Sequence, residues 1–298
     1  MMDIGSTGLL APGRLRWLRA LIWMVALAVV LVVGFNAVAR ATLWLLASDA
    51  PTAKLIAAVA GAIALLILYW LAIRLGERRP VAELSMRPAP AELLIGSVIG
   101  AALIGLIIVL QWLFGWVEIE PQPVSRIALA VRDSVRSGVL EEVLLRLVIF
   151  RLAWRALGIW PALAVSAALF GVLHLANPDS SLFAAIALAA GEGVGIGLYL
   201  ITGRIWASIG MHAAWNFTQG WIFGAAVSGT TEIAGGPLSL RQASGVSDLL
   251  SGGGFGPEAS LAALFVSLLA SAAFLWWPWK RGRFVTADQT SGKDATAS

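Results

Sequence analysis

The sequence predicts an all-α fold, a polytopic transmembrane bundle of about eight helices, and three features of the chain argue for it. Of its 298 residues 59% are hydrophobic and 13% charged, against about 45–50% and about 25% in a soluble domain. One globular core of this length cannot bury that much apolar mass, so much of it faces lipid. The apolar residues also gather into runs of about 20, the length a helix rising 1.5 Å per residue needs to cross a hydrocarbon core about 30 Å thick. Finally, there is no cysteine and there are only two histidines. That excludes disulfides, thiolate metal sites and a cysteine nucleophile, and leaves His, Asp, Glu or Asn as the only metal ligands.

The runs follow in order at 20–39, 55–73, 93–116, 127–153, 159–176, 183–201, 205–227 and 260–279. The first has basic residues before it and Ala37-Val38-Ala39 within it, yet it is longer than the 7–15 apolar residues of a signal peptide, so it reads as a retained signal anchor. The fourth carries Arg132, Asp133, Arg136, Glu141, Glu142, Arg146 and Arg151. Those charges are intolerable toward lipid and place this helix inside the bundle. Residues 1–12 and 284–298 read as tails. The glycine-rich segment 228–259 reads as a long extramembrane loop, a flexible connector rather than a substrate lid. Three regions of one helical domain result: residues 1–126 with helices one to three, 127–227 with helices four to seven, and 228–298 with the loop, helix eight and a tail.

An even number of spans returns the C-terminus to the side of the N-terminus. If that side is cytoplasmic, 15 of the 21 Lys and Arg fall on it and six, Arg40, Lys54, Arg126, Arg132, Arg136 and Arg241, fall opposite. This bias supports an N-in, C-in topology. The basic residues are scattered between apolar runs and form no stripe, so the net charge of +4 implies no nucleic-acid partner. The partner that the composition demands is the lipid bilayer.

Ionisable residues at membrane depth are costly and mark function. Here they are Glu141, Glu142 and Arg146 on the fourth run, His174 after Phe170 on the fifth, Glu192 on the sixth, and His212 with Asn216 on the seventh. Glu142 and Arg146 are four apart with the acid first, the favourable order for a pair on one helix face. Glu141 lies about 100° away and has no cation at helical spacing, which leaves it free to act as a general base. His212 and Asn216 aim at one spot, as a metal pair or as two donors for an oxyanion. With His174 from the neighbouring helix they could activate water.

Other motifs are missing. No His-Glu-x-x-His zinc helix occurs, and Ser208 precedes His212 by one turn without a Gly-x-Ser-x-Gly elbow. Gly191, Gly193, Gly195 and Gly197 lack the strand and spacing of a nucleotide loop; the pairs 191/195 and 193/197 are small-xxx-small faces for helix packing. Glu192 among them reads as a residue facing the cavity, as a supporting hydrogen-bonding group or as a residue nearer the surface.

The order Glu141-Glu142-x-x-x-Arg146, Phe170-x-x-x-His174, His212-x-x-x-Asn216 resembles the motifs of the CAAX prenyl protease type II and bacteriocin-processing (CPBP, or ABI) family of intramembrane proteases, over about 127–227. The resemblance implies a polytopic endopeptidase of a bacterial inner membrane acting on a peptide or membrane-protein substrate. In it Glu141 and His174 activate water, His212 and Asn216 hold the oxyanion, and Glu142, Arg146 and Phe170 support them. The family is often labelled metalloprotease, and zinc, if bound, would take Glu141, His174 and His212; a metal-free glutamate mechanism is the other option. Leu145 and Leu147 flank Arg146 where many members carry Phe and Gly, which alters packing and substrate fit rather than chemistry. Noncatalytic scaffold or bacteriocin-immunity members exist in the family. From the residues themselves a proton-coupled transporter is a further class, although the inverted repeats it calls for are absent.

Overall fold

The computed structural model describes residues 4–284. Every one of the eight runs is helical. The helices are α1 (Arg16–Leu46), α2 (Pro51–Ala72), α3 (Ala89–Leu113), α4 (Ile127–Glu142), α5 (Arg151–Leu157), α6 (Ile159–Leu173), α7 (Leu182–Thr202), α8 (Trp206–Asn216), the one-turn α9 (Asp248–Ser251) and α10 (Leu261–Lys280). Wider π-helical turns continue three of them, at Ile73–Glu77, Val143–Phe150 and Phe217–Ile222. The fourth run is therefore one continuous rod from α4 through α5. Six helical segments, those beginning at Arg16, Pro51, Ala89, Ile159, Leu182 and Leu261, are long and apolar enough to cross a bilayer. The chain is an integral, multi-pass membrane protein. The α4–α5 rod and α8 fall outside that set, the first through its charges and the second through its length, and they carry Glu141, Glu142, Arg146, His212 and Asn216.

The outer helices sort their faces as lipid and protein contact require. On α1, Ile22, Val25, Val29 and Val33 are exposed at helical spacing while Leu27, Leu31 and Phe35 are buried. They join a core that also holds Leu65, Tyr69, Phe150, Trp154, Tyr199 and Leu200. Helices α3 and α8 approach most closely. A methyl at Gly96 or Gly100 would stand 2.8 Å from the carbonyl carbon of Ala207 or Met211, so only glycine lets the α8 backbone lie against α3. Gly193 and Gly197 do the same for α10, meeting Ser271 and Phe274, whereas the space beside Gly195 is filled by the Arg146 side chain rather than by a helix.

The expected helical bundle carries one short β-ribbon besides: β1 (Val117–Pro121) pairs antiparallel with β2 (Leu238–Gln242), and its Ile119 faces Leu240. Both pack on Ile104, Ile107 and Ile108 of α3, so the period-two alternation of Val-Glu-Ile-Glu and Leu-Ser-Leu-Arg buries one face. The segment 228–259 is an ordered roof, not a flexible connector. Ile233, Phe255 and Glu258 are buried in it, and Glu258 accepts the Ser228 N–H at 2.6 Å and a hydrogen bond from the Gln219 amide.

The N-terminal segment is also no tail where it is described. Ile4 and Leu10 are buried, Thr7 donates to the Glu77 carbonyl at 2.5 Å, and the Ile4 and Leu10 carbonyls accept from Arg151 and Arg155. They seat on a buried ion cluster in which Glu77 takes both Nη groups of Arg151 at 2.8 and 2.7 Å and Arg79 bridges Glu77 and Glu83. Arg79, Arg151 and Arg155 are therefore interior groups, not the loop charges that a positive-inside count assumes. The tail expected at 284–298 lies outside the described residues except for Phe284, which packs on Trp160.

Candidate active site

A cavity of about 460 Å³ opens between α4, α6, α7, α8 and α10 beneath the 227–233 roof. Glu141, Glu142, Arg146, Phe170, His174, Glu192, His212 and Asn216 all line it, so the structure brings every candidate residue together. Its remaining wall is mostly apolar, including Leu103, Leu144, Leu145, Val194 and Met211. Leu173 lines it and is also exposed on the outer surface, so an apolar side of the cavity reaches the lipid-facing surface. Asp133 and Arg136 mark a polar mouth near the roof.

Each functional side chain is held by a specific partner. The Glu142 carboxylate is fully buried and pairs with Arg146 Nε at 2.9 Å, as the spacing requires. It does more, since its other oxygen takes His212 Nδ1 at 2.7 Å. A carboxylate accepts, so Nδ1 carries the proton and Nε2 turns to the cavity, 3.8 Å from Glu141 Oε2. Glu141 is one-third exposed, at 33%, and has no Lys or Arg partner among the described residues. His174 closes α6 and its Nδ1 lies 2.7 Å from the Phe170 carbonyl. A carbonyl also only accepts, so this imidazole too presents Nε2 as its free nitrogen. Asn216 Nδ2 donates to Ser137 Oγ at 2.9 Å, and that hydroxyl donates onward to the Asp133 carbonyl at 2.7 Å. One amide hydrogen of Asn216 remains unspent.

The Phe170 ring meets both imidazoles edge-on, with centroids 4.6 Å from His174 and 6.3 Å from His212. The two rings are thus within 10.9 Å of each other. A catalytic zinc needs three protein ligands about 2.0–2.2 Å from one point. Among the described residues no three His, Asp or Glu side chains are placed to hold a metal ion. Glu141, His174 and His212 share a cavity, but as arranged they do not fit a metal.

Sequence reasoning missed two links. One is the double duty of Glu142, and the other is Glu192, which meets Arg146 Nη2 at 3.1 Å and accepts the Ser166 hydroxyl at 2.7 Å. A lone carboxylate in an apolar helix has to find a cation, and Arg146 was the nearest one unclaimed by a loop. Gly195 makes the contact possible: a methyl there would sit 2.7 Å from both Cζ and Nε of Arg146. Of the two leucines that flank Arg146, Leu145 lines the cavity and Leu147 belongs to the core.

The sequence model of the Rce1-like type II CAAX prenyl endopeptidases matches residues 123–218, about one-third of the chain and a stretch that contains all the motif residues. No curated protein and no solved structure matches the chain.

Proposed function

Because the chain belongs, through residues 123–218, to the type II CAAX prenyl endopeptidase (CPBP) family, we propose that it is an intramembrane endopeptidase that hydrolyses a peptide bond with water activated by Glu141 and His174. The observation that carries this reading is the way both imidazoles are tied. Each has Nδ1 on a fixed acceptor and Nε2 toward a cavity that Glu141 and Asn216 also line.

Glu141 takes a proton from water as the oxygen attacks the scissile carbonyl, and His174 Nε2 accepts a hydrogen bond that orients the same water. Negative charge then develops on the carbonyl oxygen. Protonated on both ring nitrogens, His212 donates from Nε2, and with the free amide hydrogen of Asn216 it supplies the donors on that side of the cavity, preorganised by Glu142 and Ser137. Collapse breaks the C–N bond, and the proton held by Glu141 passes to the leaving amine. No step is routed through a metal, since the donor set does not fit one.

The exposed basic residues at one end of the bundle, Arg14, Arg16, Arg74, Arg78, Arg87, Lys280 and Arg281, support cytoplasmic termini. The ribbon, the roof and the polar mouth then lie on the opposite side of the membrane. Peptide substrates would reach the cavity from there, with their apolar part entering past Leu173.

Peptide profiling of membranes carrying the wild type or Glu141→Gln tests the proposal. Wild-type membranes should release internally cleaved peptides that Glu141→Gln membranes do not, and the cleavage should survive a chelator. Identical peptide profiles would overturn it.

A further inference from the structure

The end of α10 has no part in the hydrolysis outlined above, yet it is closely built. The helix runs out through Trp276-Trp277-Pro278-Trp279-Lys280 and is followed by Arg281-Gly282-Arg283-Phe284. Gly282 takes a φ of 66°, its N–H donates to the Trp279 carbonyl at 3.0 Å, and the Arg283 N–H donates to the Pro278 carbonyl at 2.9 Å. This crossed pair of bonds, with glycine in the left-handed region, folds a chain back over the end of its helix. Phe284 pins the turn from beyond, buried and edge-on to Trp160 of α6 at 5.5 Å. Arg283 is thereby returned to the side of the helix that holds Trp277 and Pro278.

There it lines a second cavity, of about 250 Å³, together with Arg281, Trp277, Pro278 and Ile201 from the end of α7. The close approach of α7 and α10 at Gly197 and Phe274 keeps the two walls together. Arg281 lies over the Trp277 ring, 4.7 Å from its centroid, which holds its guanidinium in place. Two guanidinium groups thus line one small cavity, and among the described residues no acid lines it with them. Like charges brought together repel, and an anion between them reverses that cost. The anion that suits two planar arginine forks is a phosphate group.

The surroundings make that phosphate part of an amphiphile. Helix α10 is long and apolar enough to cross a bilayer, and Phe265, Leu268 and Leu269 are exposed along it. Trp276, Trp277 and Trp279 are half-exposed at its end, where an aromatic belt meets the headgroups. A lipid whose phosphate sits at the two arginines has its acyl chains at the depth of those exposed apolar side chains. A zwitterionic headgroup would bring its own cation to the arginines, so the charge of the cavity favours an anionic one.

We propose that the cavity at the end of α10 binds the headgroup of an anionic phospholipid, its phosphate diester held by Arg281 and Arg283 against the Trp277 indole. The inference does not rest on the hydrolytic reading.

Calorimetric titration of the full-length protein in an uncharged detergent tests it, with dioctanoyl phosphatidylglycerol, dioctanoyl phosphatidylcholine and inorganic phosphate as the probes. Phosphatidylglycerol should bind about fivefold more tightly than phosphatidylcholine, the effect of one unit of charge at a basic surface, and Arg281→Gln and Arg283→Gln should each weaken it about fivefold. Arg74 is an exposed arginine that also lies over an indole, that of Trp70 at 5.9 Å, but it does not line the cavity. Arg74→Gln should therefore leave the affinity close to wild type. Equal affinity for the two lipids, or free phosphate binding as tightly as phosphatidylglycerol, overturns the inference, and both are read on the wild type whatever the variants do. A loss in Arg74→Gln as large as in the cavity variants overturns it too, by showing that anions collect on the basic surface at large.

Discussion

Replacing Gly195 by alanine adds one methyl group, and two effects of opposite sign compete over it. Alanine is the better helix former by about 1 kcal/mol, so local propensity makes the variant more stable. The new methyl, however, would lie 2.7 Å from Cζ and Nε of Arg146, well inside van der Waals contact. Arg146 cannot yield freely, because its guanidinium is pinned between Glu142 and Glu192, and all three side chains are at most 3% exposed. Displacing it leaves two buried carboxylates short of their cation, and breaking a buried pair in this way costs on the order of 3–5 kcal/mol. The clash wins, and Gly195→Ala should lose about 2–4 kcal/mol net. Equilibrium unfolding in mixed micelles measures this, with Gly105→Ala as the control. A methyl at Gly105 in α3 meets nothing within 4 Å, so that variant should be neutral or gain up to about 1 kcal/mol. If Gly195→Ala proves as stable as the Gly105 variant, the packing of Arg146 against α7 is wrong, and with it the bridge Arg146 makes between Glu142 and Glu192.

Three further outcomes follow from the same geometry. With a peptide identified by profiling, Asn216→Ala should lower kcat by about 10²–10³ with little change in KM, the cost of one oxyanion donor; equal loss in Ser137→Ala would instead mean that Asn216 acts through structure alone. Burial pushes the Glu258 carboxyl up to about 7 against the opposing hydrogen bonds from Ser228 and Gln219. Its folded-state value is thus raised above the unfolded one, so its contribution to stability is complete below about 4.5 and is lost as pH rises through about 7. The wild type should unfold at lower temperature at pH 8 than at pH 6, Glu258→Gln should narrow that gap, and an equal gap in both would assign the effect elsewhere. The chain has no cysteine, so Thr230→Cys in the roof and Met86→Cys at the basic end can each be labelled cleanly. An impermeant maleimide should reach the first and not the second in intact cells, and the opposite pattern would invert the topology.

Much of this architecture is written in the chain's apolar runs and its few membrane-depth polar groups. The ion pair of Glu142 with Arg146 and the convergence of His174, His212 and Asn216 could be read because helical spacing fixes which residues share a face. The partners on other helices could not. That Glu142 also serves His212 depends on how closely α4 and α8 approach, a tertiary fact with no local periodicity behind it. The ribbon was hidden for a different reason. Its two strands are five residues each and are separated by more than a hundred positions, and the second lies in a glycine-rich stretch whose composition speaks for a connector. The seating of Ile4 and Leu10 was equally silent, since short terminal segments with small residues resemble tails until an interior cluster claims their carbonyls.

The buried ions at the basic end also have a consequence for how the chain is assembled. Before the α4–α5 rod is made, Glu77 and Glu83 share only Arg79 within this cluster, which leaves the cluster one carboxylate in excess. Arg151, which supplies the missing charge, is made 74 residues after Glu77. The Ile4 carbonyl accepts from that same arginine across 147 residues. The Ile4 segment thus cannot reach this seat until Arg151 has been translated. The segment around Ile4 and the α4–α5 rod therefore complete one socket together, and no shorter stretch of the chain supplies all of its parts.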